Sequence, residues 1–466
     1  MRICLVLEGS YPYVHGGVST WMHQYITEMK EHEFIIWVIG ANEEQKGKFV
    51  YEFPENVVEV HEVFLDSLDG FETTDTSLEE LTGEEYEALK QLVFCANPDW
   101  SLIFDMLQDG KIQRDNFLAS EEFFSMIQEL CEEKYASQPM SDVFHTIRSM
   151  LFPLLNLLSS SIPSADAYHA ISTGYGGILA TLASTRTRKP LLLTEHGIYT
   201  REREEEIIRA DWILPSMRKQ WIDFFYMLSD AIYSKADCIT SLFSKARETQ
   251  IALGCDAKKC RVISNGIDYE SFSNIPFEKD DWINIGAAVR MAPIKDIKTM
   301  IYAFYEVSSK MPNIRLYIMG GVDDKAYAEE CYALARKLKL ENLIFTGRVD
   351  VKEYLKKMDF MILTSISEGQ PLSILESMAA GKPCVTTDVG CCKELLEGKL
   401  DDTLGSAGYC VPPTDLMSLA HAMLVMASSE EKRLKMGQIA KKRSEQFYQY
   451  HQMIEQYRQL YKEYVR

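Results

Sequence analysis

The chain has 466 residues and a formal net charge of −20 at pH 7. Apolar residues make up 46% and charged residues 25%, which is typical of a globular protein and excludes disordered, collagen-like and low-complexity architectures. The negative net charge also excludes a general nucleic-acid binder that depends on a basic field. At roughly 150 residues per domain, the length favours about three domains.

The negative charge is concentrated in one part of the chain. Residues 51–140 contain 22 Asp and Glu residues but only 4 Lys and Arg residues. We interpret this segment as a solvated insertion that increases solubility. The alternative is a docking surface for a basic partner.

The N-terminal segment, the apolar stretches and the cysteines indicate the cellular compartment of the protein. The N-terminal apolar run Ile3–Leu7 is too short for the core of a signal peptide, and no apolar stretch approaches the ~18 residues of a membrane span. The 11 cysteines are odd in number and lack paired C-x-x-C spacing. We therefore expect a cytoplasmic protein with reduced thiols and no metal site.

Short apolar runs alternate with helical patterns along two stretches of the chain. Such runs are typical of buried parallel strands, and their alternation with helices favours right-handed βαβ units. The first series predicts strands at Ile3–Leu7, Ile35–Ile39, Ala167–Ser172, Leu191–Glu195, Cys238–Ser241 and Val262–Ser264. The second series predicts strands at Ile283–Val289, Ile314–Met319, Leu343–Thr346, Phe360–Thr364 and Pro383–Thr386. The expected fold is α/β, with two doubly wound Rossmann-like domains.

Residues 43–165 break this rhythm. Apolar side chains such as Val143, Ile147 and Met150 recur at helical spacing, which predicts a helical insertion. We therefore predict an N-terminal domain over residues 1–275, with the insertion at about 43–165, and a C-terminal domain over 276–445. Residues 446–466 are predicted to form a helix that packs its aromatic side on the N-terminal domain. The alternative for the basic, aromatic stretch from Glu430 to Arg466 is contact with a membrane surface.

One candidate site follows the predicted strand Phe360–Thr364. The segment Ser367–Glu376 begins an apolar helix, and Pro371 suits its first turn. The unpaired N–H groups of that turn form an anion site. Glu368 and Glu376 are separated by seven residues within it, in an E-x7-E pattern. The alternative is that these carboxylates only complement the helix dipole.

A second candidate site follows the predicted strand Ile283–Val289. Arg290 and Lys295 come at its carboxyl end, where open α/β sheets bind ligands. Two cations facing a helix start can neutralise a diphosphate, although surface-loop cations are commoner. The chain contains no Asp-x-Asp. A bound diphosphate would therefore be held by cations and helix dipoles rather than by a carboxylate-bound metal.

Two weaker signals lie in the first half. Gly16 and Gly17 follow the first predicted strand and permit close approach of a ligand to the backbone, although such a pair is usually a turn. His196, in Thr194-Glu195-His196-Gly197, follows another strand and could hydrogen-bond a sugar. The chain has neither a G-x-G-x-x-G nor a P-loop motif, which argues against a dinucleotide or P-loop enzyme.

Together these motifs resemble those of retaining glycosyltransferases of family 4, which have the GT-B fold of two Rossmann-like domains facing a central cleft. The resemblance rests on the E-x7-E pattern, on the pair Arg290 and Lys295, on Asn265-Gly266-Ile267-Asp268 and on the glycine pair. Within that family, residues 8–19, 194–203 and 367–372 are similar to the PelF-type cytosolic transferases of exopolysaccharide synthesis.

The resemblance implies roles for individual residues. Arg290 and Lys295 would hold the donor diphosphate, Glu376 the ribose hydroxyls, and Glu368 and His196 would lie beside the transferred sugar. The catalytic residues implied are therefore Glu368, His196, Arg290 and Lys295. The further donor-binding residues implied are Gly16, Gly17, Gly347, Arg348, Gly369, Gln370, Leu372, Ser373 and Glu376. Gln370-Pro371 departs from the aromatic-Gly pair that many members carry.

The resemblance implies transfer of a hexose or N-acetylhexosamine from a UDP-sugar to a growing glycan, without a metal or other cofactor. The implied partners are the glycan acceptor and a membrane-bound polysaccharide synthesis and export complex at the inner face of the cell membrane. Two alternatives stay open. One is a catalytically silent scaffold of such a complex, and the other is a GT-B nucleotide-sugar epimerase or phosphorylase.

Overall fold

The computed structural model describes residues 1–66, 79–399 and 402–465. Residues 67–78 of the predicted acidic insertion lie outside this description. The described chain forms two compact units. The first comprises Met1–Ser241, Arg247–Arg261 and Arg458–Arg466, and the second comprises Leu242–Ala246 and Val262–Tyr457.

The first unit is built on a sheet of seven described strands. They are β1 (Arg2–Glu8), β2 (Glu33–Gly40), β3 (Val57–Phe64), β4 (Ala167–Ala170), β5 (Leu191–Glu195), β6 (Cys238–Ser241) and β7 (Cys260–Val262). Their order across the sheet is β3-β2-β1-β4-β5-β6-β7, and β1 pairs in parallel with both β2 and β4. The strand order therefore reverses between β1 and β4, where doubly wound sheets open a ligand crevice.

One strand of this sheet falls inside the predicted insertion. β3 alternates Val with Glu and His, and most of it is only partly buried because it lies at the sheet edge. A search for continuous apolar runs misses such a strand. The last strand also differs from its expected position, since it spans Cys260–Val262 rather than Val262–Ser264.

Helices cover both faces of the first sheet and form the insertion. The helices that begin in this part of the chain are α1 (Gly17–Glu28), α2 (Gly83–Val93), α3 (Trp100–Gln108), α4 (Arg114–Leu118), α5 (Glu121–Lys134), α6 (Met140–Leu158), α7 (Gly174–Thr187), α8 (Tyr199–Arg209), α9 (Arg218–Lys235) and α10 (Ser244–Ala252). The helices α2 to α6 follow one another between β3 and β4, and their apolar stripes join the core of the unit. The insertion is therefore helical from Gly83 onwards.

The second unit is built on a sheet of six described strands. They are β8 (Ile283–Ala288), β9 (Ile314–Met319), β10 (Leu343–Gly347), β11 (Phe360–Leu363), β12 (Cys384–Thr387) and β13 (Gly408–Val411). Their order is β10-β9-β8-β11-β12-β13. The order reverses between β8 and β11, so the two predicted site loops leave adjacent strands. β13 is a short edge strand that the apolar pattern does not predict.

The remaining helices complete the second unit and the end of the chain. They are α11 (Tyr269–Ser273), α12 (Ile297–Ser308), α13 (Lys325–Lys337), α14 (Val351–Leu355), α15 (Leu372–Ala379), α16 (Cys392–Glu397), α17 (Leu416–Ala427), α18 (Glu430–Phe447) and α19 (Tyr450–Tyr464). The long continuous stretch of the second unit begins at Val262, whereas the sequence predicts the domain junction at residues 275–276. The predicted fold class, two doubly wound α/β domains with a helical insertion, is confirmed.

Candidate active site

The two predicted loops of the second unit meet through an ion pair. Lys295 ends a short 3-10 turn after β8, and Glu368 lies in the loop after β11. The Lys295 Nζ is 2.5 Å from the Glu368 Oε1, and the two side chains are only 17% and 13% exposed. Ser365 Oγ donates to the same Oε1 over 2.5 Å. The strand order therefore brings together a cation and a carboxylate that lie 73 residues apart in the chain.

Arg290 takes a different partner. Its side chain is 68% exposed and forms an ion pair with Asp323, which lies between β9 and α13. Arg290 and Lys295, which lie close together in the sequence, therefore form ion pairs with different carboxylates. Sequence reasoning missed Asp323, because nothing in the local pattern around it indicates a partner on the neighbouring strand.

Glu376 lies on α15 with a carboxylate that makes no hydrogen bond within the described parts of the chain. Burial raises its pKa to about 7, opposed by the positive charge of Lys352. Lys352 itself hydrogen-bonds the Ser271 hydroxyl and lies 4.8 Å from the centre of the Phe272 ring. Glu376 is therefore a largely desolvated acceptor that a ligand hydroxyl can satisfy.

The loop that carries Glu368 is held by backbone contacts. Gly369 O accepts from Cys391 N over 3.1 Å, and Gly390 has a φ of 54°. A Cβ at Gly390 would collide with the carbonyl oxygens of Glu368 and Gly369. Glycine is required there both for its left-handed backbone and for this close approach.

Gln370 is directed at the backbone of the second unit rather than at open space. Its side chain is buried, and its Oε1 accepts from Asn265 N over 2.7 Å. This bond connects the E-x7-E loop to the Asn265-Gly266-Ile267-Asp268 segment. The Gln370 side chain, which departs from the expected aromatic-Gly pair, thus has a structural use within this unit.

The start of α15 is open to a ligand. Pro371 precedes the helix and no side chain caps it, so Leu372 and Ser373 supply the first backbone N–H groups. Uncapped N–H groups at a helix start carry a partial positive charge and favour anions.

The Gly347–Arg348 loop lies farther along the same sheet edge. Gly347 ends β10 with a φ of 68°, and its carbonyl accepts from Gly320 N over 2.9 Å. Arg348 is exposed. Because β10 is separated from β8 by β9, this loop is two strands away from the loop of Lys295.

The predicted residues of the first unit lie at the carboxyl ends of its strands. Gly16 precedes α1 and Gly17 begins it, and a Cβ at either position would meet nothing within 4 Å. His196 follows β5, and its ring packs edge-on against Trp21 with centroids 4.4 Å apart. Burial lowers the pKa of His196 to about 4, so its imidazole is neutral near pH 7. Its Nε2 has no hydrogen-bond partner among the described residues.

Sequence reasoning missed the charged residues around His196. Glu8 ends β1, and its Oε1 accepts from Tyr199 Oη over 2.8 Å and from Arg203 Nη2 over 3.2 Å. Glu195, adjacent to His196, is only 2% exposed. The signal available in the sequence was their position, since each ends a predicted parallel strand.

Across residues 1–66, 79–399 and 402–465, no group of three or more His, Cys, Asp or Glu side chains is arranged to hold a metal ion. In the same ranges, no helix combines the length and apolarity needed to cross a membrane.

The fold and the family matches define the class of protein. Residues 283–429 match the family described as Glycosyl transferases group 1, and residues 1–258 match the one described as Domain of unknown function (DUF3492). The chain belongs to the DUF3492 family, and its residues 283–429 are similar to those of group 1 glycosyltransferases. Its two parallel-sheet units have the GT-B fold.

Individual relatives are distant. EpsD of Bacillus subtilis (strain 168), named a glycosyltransferase, is 24% identical over 284 residues, covering 59% of this chain and 71% of EpsD. The UDP-Gal:alpha-D-GlcNAc-diphosphoundecaprenol alpha-1,3-galactosyltransferase of Escherichia coli is 23% identical over 350 residues, covering 68% of this chain and 84% of that enzyme.

Among solved structures, Anabaena HepE in complex with UDP aligns with a TM-score of 0.61 and 15% identity, over 99% of this chain and 100% of HepE. HepE has also been solved in complex with UDP-glucose, and that structure aligns with a TM-score of 0.58 and 16% identity over the same shares of the two chains. At this identity the likeness shows the fold.

Proposed function

We propose that the protein is a retaining glycosyltransferase that moves a hexose or N-acetylhexosamine from a UDP-sugar to a growing exopolysaccharide, without a metal. The observation that carries the proposal is the contact between Lys295 and Glu368 at the strand-order reversal of the second unit, in the loop that leads into the uncapped start of α15. The UDP and UDP-glucose complexes of HepE and the UDP-Gal specificity named for the Escherichia coli relative support a UDP-linked donor.

The diphosphate of the donor would bind at the start of α15. A phosphate oxygen offers Lys295 a stronger anionic partner than one carboxylate, and the N–H groups of Leu372 and Ser373 add two donors. Arg290, which is largely exposed, would leave Asp323 to reach the same phosphates. When Lys295 binds the phosphate, it would no longer pair with Glu368. The Glu368 carboxylate would then be available to accept hydrogen bonds from the sugar hydroxyls.

Glu376 would bind the ribose. An ionised carboxylate can accept hydrogen bonds from both hydroxyls of the ribose. The absence of a partner for Glu376 within the described chain supports this role, since a desolvated carboxylate gains most from such bonds. Gly347 and Arg348 stay predictions for contacts to the base, and Gly369 and Gln370 for contacts to the sugar.

Catalysis would depend on the charge of the leaving group. As the glycosidic bond breaks, negative charge grows on the UDP and positive charge on the anomeric carbon. Lys295, Arg290 and the N–H groups of α15 would stabilise the leaving diphosphate, and one such donor lowers a barrier by about 3–4 kcal/mol. We propose attack on the face from which UDP leaves, which gives retention. The family resemblance places His196 beside the sugar and Gly16 and Gly17 near the diphosphate.

The proposals for the acceptor and for the cellular location rest on the resemblance to PelF-type transferases. We propose an exopolysaccharide acceptor, reaction in the cytoplasm, and recruitment to a membrane-bound synthesis complex.

A panel of nucleotide sugars tests the function. Incubation with each UDP-sugar and an oligosaccharide acceptor should release UDP and give a product whose anomeric configuration, read by NMR, matches that of the donor. EDTA should leave turnover unchanged. Loss of turnover with EDTA and recovery with magnesium would contradict metal independence. The absence of turnover favours a scaffold, free sugar isomers favour an epimerase, and phosphate dependence favours a phosphorylase.

Titration calorimetry tests the donor site separately. Glu376→Ala and Arg290→Ala should each weaken UDP binding, whereas Lys298→Ala should not. Lys298 is the matched control because it lies on α12 close to Lys295 in sequence but pairs with Glu330. Unchanged UDP affinity in both Glu376→Ala and Arg290→Ala would contradict the assignment.

A further inference from the structure

The first unit contains a cavity of about 350 Å³ at the carboxyl ends of its strands. Glu8 and Ile39 line it from β1 and β2, Ile171 from the loop after β4, and Glu195 from β5. The cavity therefore lies where the strand order of the first sheet reverses. Its volume is within the range of small-molecule sites.

Among the described residues of the lining, the guanidinium is that of Arg203, and it is already neutralised. Arg203 Nη2 lies 3.2 Å from Glu8 Oε1, and Arg203 Nη1 lies 2.7 Å from Glu206 Oε2. Glu8 is in turn held by Tyr199 Oη and, through Oε2, by Gly176 N over 3.2 Å. A negatively charged ligand would have to displace a carboxylate from Arg203 to gain a cation.

A buried carboxylate in the lining lacks a partner on one oxygen. Glu195 Oε2 accepts from Tyr233 Oη and from Gln250 Nε2, each over 2.8 Å. Glu195 Oε1 is buried and has no hydrogen-bond partner among the described residues, and the same holds for His196 Nε2. An unpaired buried acceptor costs about 1–3 kcal/mol, so a ligand that donates a hydrogen bond there is favoured.

The electrostatics of the cavity disfavour anions. Glu8, Glu195 and Glu202 all line it, against the single Arg203. Burial raises the pKa of Glu8, of Glu195 and of Glu202. A further negative charge would add repulsion to this desolvation. A hydroxyl group, in contrast, can donate to a carboxylate and accept from a neighbouring donor.

We propose that this cavity binds the uncharged terminal sugar of the acceptor through its hydroxyl groups, and that Glu8 and Glu195 make it reject hexuronates and other anionic sugars. The inference rests on the proposed transferase function, in which the second unit holds the donor. Glu8 and Glu195 are then specificity-determining residues of the acceptor.

Binding of simple glycosides to the full chain loaded with UDP tests the proposal. Ligand-observed NMR titrations would compare methyl β-glucoside and methyl β-N-acetylglucosaminide with methyl β-glucuronide. We expect at least one neutral glycoside to bind about tenfold more tightly than the glucuronide, as for the loss of one charge-assisted hydrogen bond. Equal binding of all three, tighter binding of the glucuronide, or no binding of a neutral glycoside would overturn the proposal.

Two variants test whether Glu8 and Glu195 are the residues that bind the neutral glycoside. Glu8→Gln and Glu195→Gln should each weaken binding of the neutral glycoside by about tenfold and leave the Kd of UDP unchanged. Glu205→Gln is the control, because Glu205 lies on α8 with a side chain that is 59% exposed and outside the cavity lining. If both variants bind the glycoside like the wild type while remaining folded by thermal midpoint, these residues do not line the acceptor site.

The result can be separated from a failure of the proposed function. A protein that binds no UDP and turns over no UDP-sugar refutes the transferase itself. A protein that binds UDP and hydrolyses the UDP-sugar but shows no preference between neutral and anionic glycosides refutes only the acceptor class. The wild-type comparison needs no variant, so it holds even if Glu8→Gln fails to fold.

Discussion

The two units share a strand order at their centre but differ in the charged groups at the point of reversal. In the second unit the loop after its first strand supplies a cation, Lys295, and the loop after the neighbouring strand supplies Glu368. In the first unit the first strand itself ends in a carboxylate, Glu8, and the cation Arg203 comes from α8. For the same backbone layout we therefore propose an anion site in the second unit and a hydroxyl site in the first.

In these units the strand order determines where a ligand can bind, and the side chains at that point determine which kind of ligand binds. Open α/β sheets bind at the strand-order reversal whatever the side chains. The uncapped helix start and two cations of the second unit suit a diphosphate, whereas the Glu8, Glu195 and Glu202 carboxylates of the first suit hydroxyl groups.

The largest expected effect is loss of Lys295. Lys295→Ala removes the buried cation and leaves Glu368 without its ion-pair partner. We expect kcat for UDP-sugar turnover to fall by about 10²–10³, as for loss of one donor to a developing oxyanion. Lys298→Ala, three residues further along on α12, should retain kcat. If the kcat of Lys295→Ala lies within twofold of the wild-type kcat, Lys295 does not stabilise the leaving UDP.

A glycine pair tests the shape of the same loop. Gly390→Ala places a Cβ against the carbonyls of Glu368 and Gly369, whereas the nearest atoms to a Cβ at Gly381 are 3.8 Å away. Both glycines have positive φ, so Gly381→Ala controls for the shared backbone strain of about 1–3 kcal/mol. Gly390→Ala should lose more stability in denaturant titration than Gly381→Ala and raise the KM for the donor, and equal losses would contradict the collision.

The raised pKa of Glu376 predicts a pH step in donor affinity. Ribose hydroxyls donate to the ionised carboxylate, so UDP affinity should fall by about tenfold as pH drops through about 7, which corresponds to ~1.4 kcal/mol. Glu376→Gln cannot titrate, so calorimetry from pH 5.5 to 8.5 should show no step attributable to this residue. A step of the same size in the variant would assign it to another group.

The same pKa has a consequence for stability. A carboxyl whose pKa is raised on folding binds more protons in the folded than in the unfolded state between about pH 4.5 and 7, so stability falls as pH rises through that window. In the ligand-free protein, Glu376→Gln should therefore have a higher thermal midpoint relative to wild type at pH 8 than at pH 4.5. The difference should vanish when both are compared below pH 4.

The smallest expected effect is that of Arg290. Its side chain is largely exposed and paired with Asp323, and exposed ion pairs contribute about 0.2–1 kcal/mol. Arg290→Ala should leave the thermal midpoint within about a degree of wild type while lowering UDP affinity several-fold. An unchanged UDP affinity in Arg290→Ala would show that Arg290 does not reach the phosphates.

The amino-acid sequence by itself determined the fold class and the position of the site loops along the chain. Runs of about five apolar residues between helical patterns indicate buried parallel strands, and polar residues just after such strands lie at the ligand-binding edge. Lys295, Glu368 and His196 were found in this way. β3 was missed because an edge strand is half exposed and alternates in polarity.

Which of these side chains contact one another depends on the tertiary structure. The contact between Lys295 and Glu368 depends on β8 and β11 being neighbours, and that of Glu8 with Arg203 depends on where α8 packs. The partner of Arg290 and the bond from Asn265 to Gln370 are likewise set by packing over long separations. Local patterns report burial along one segment, whereas charge pairing depends on the distances between segments, which arise only when the sheet is assembled.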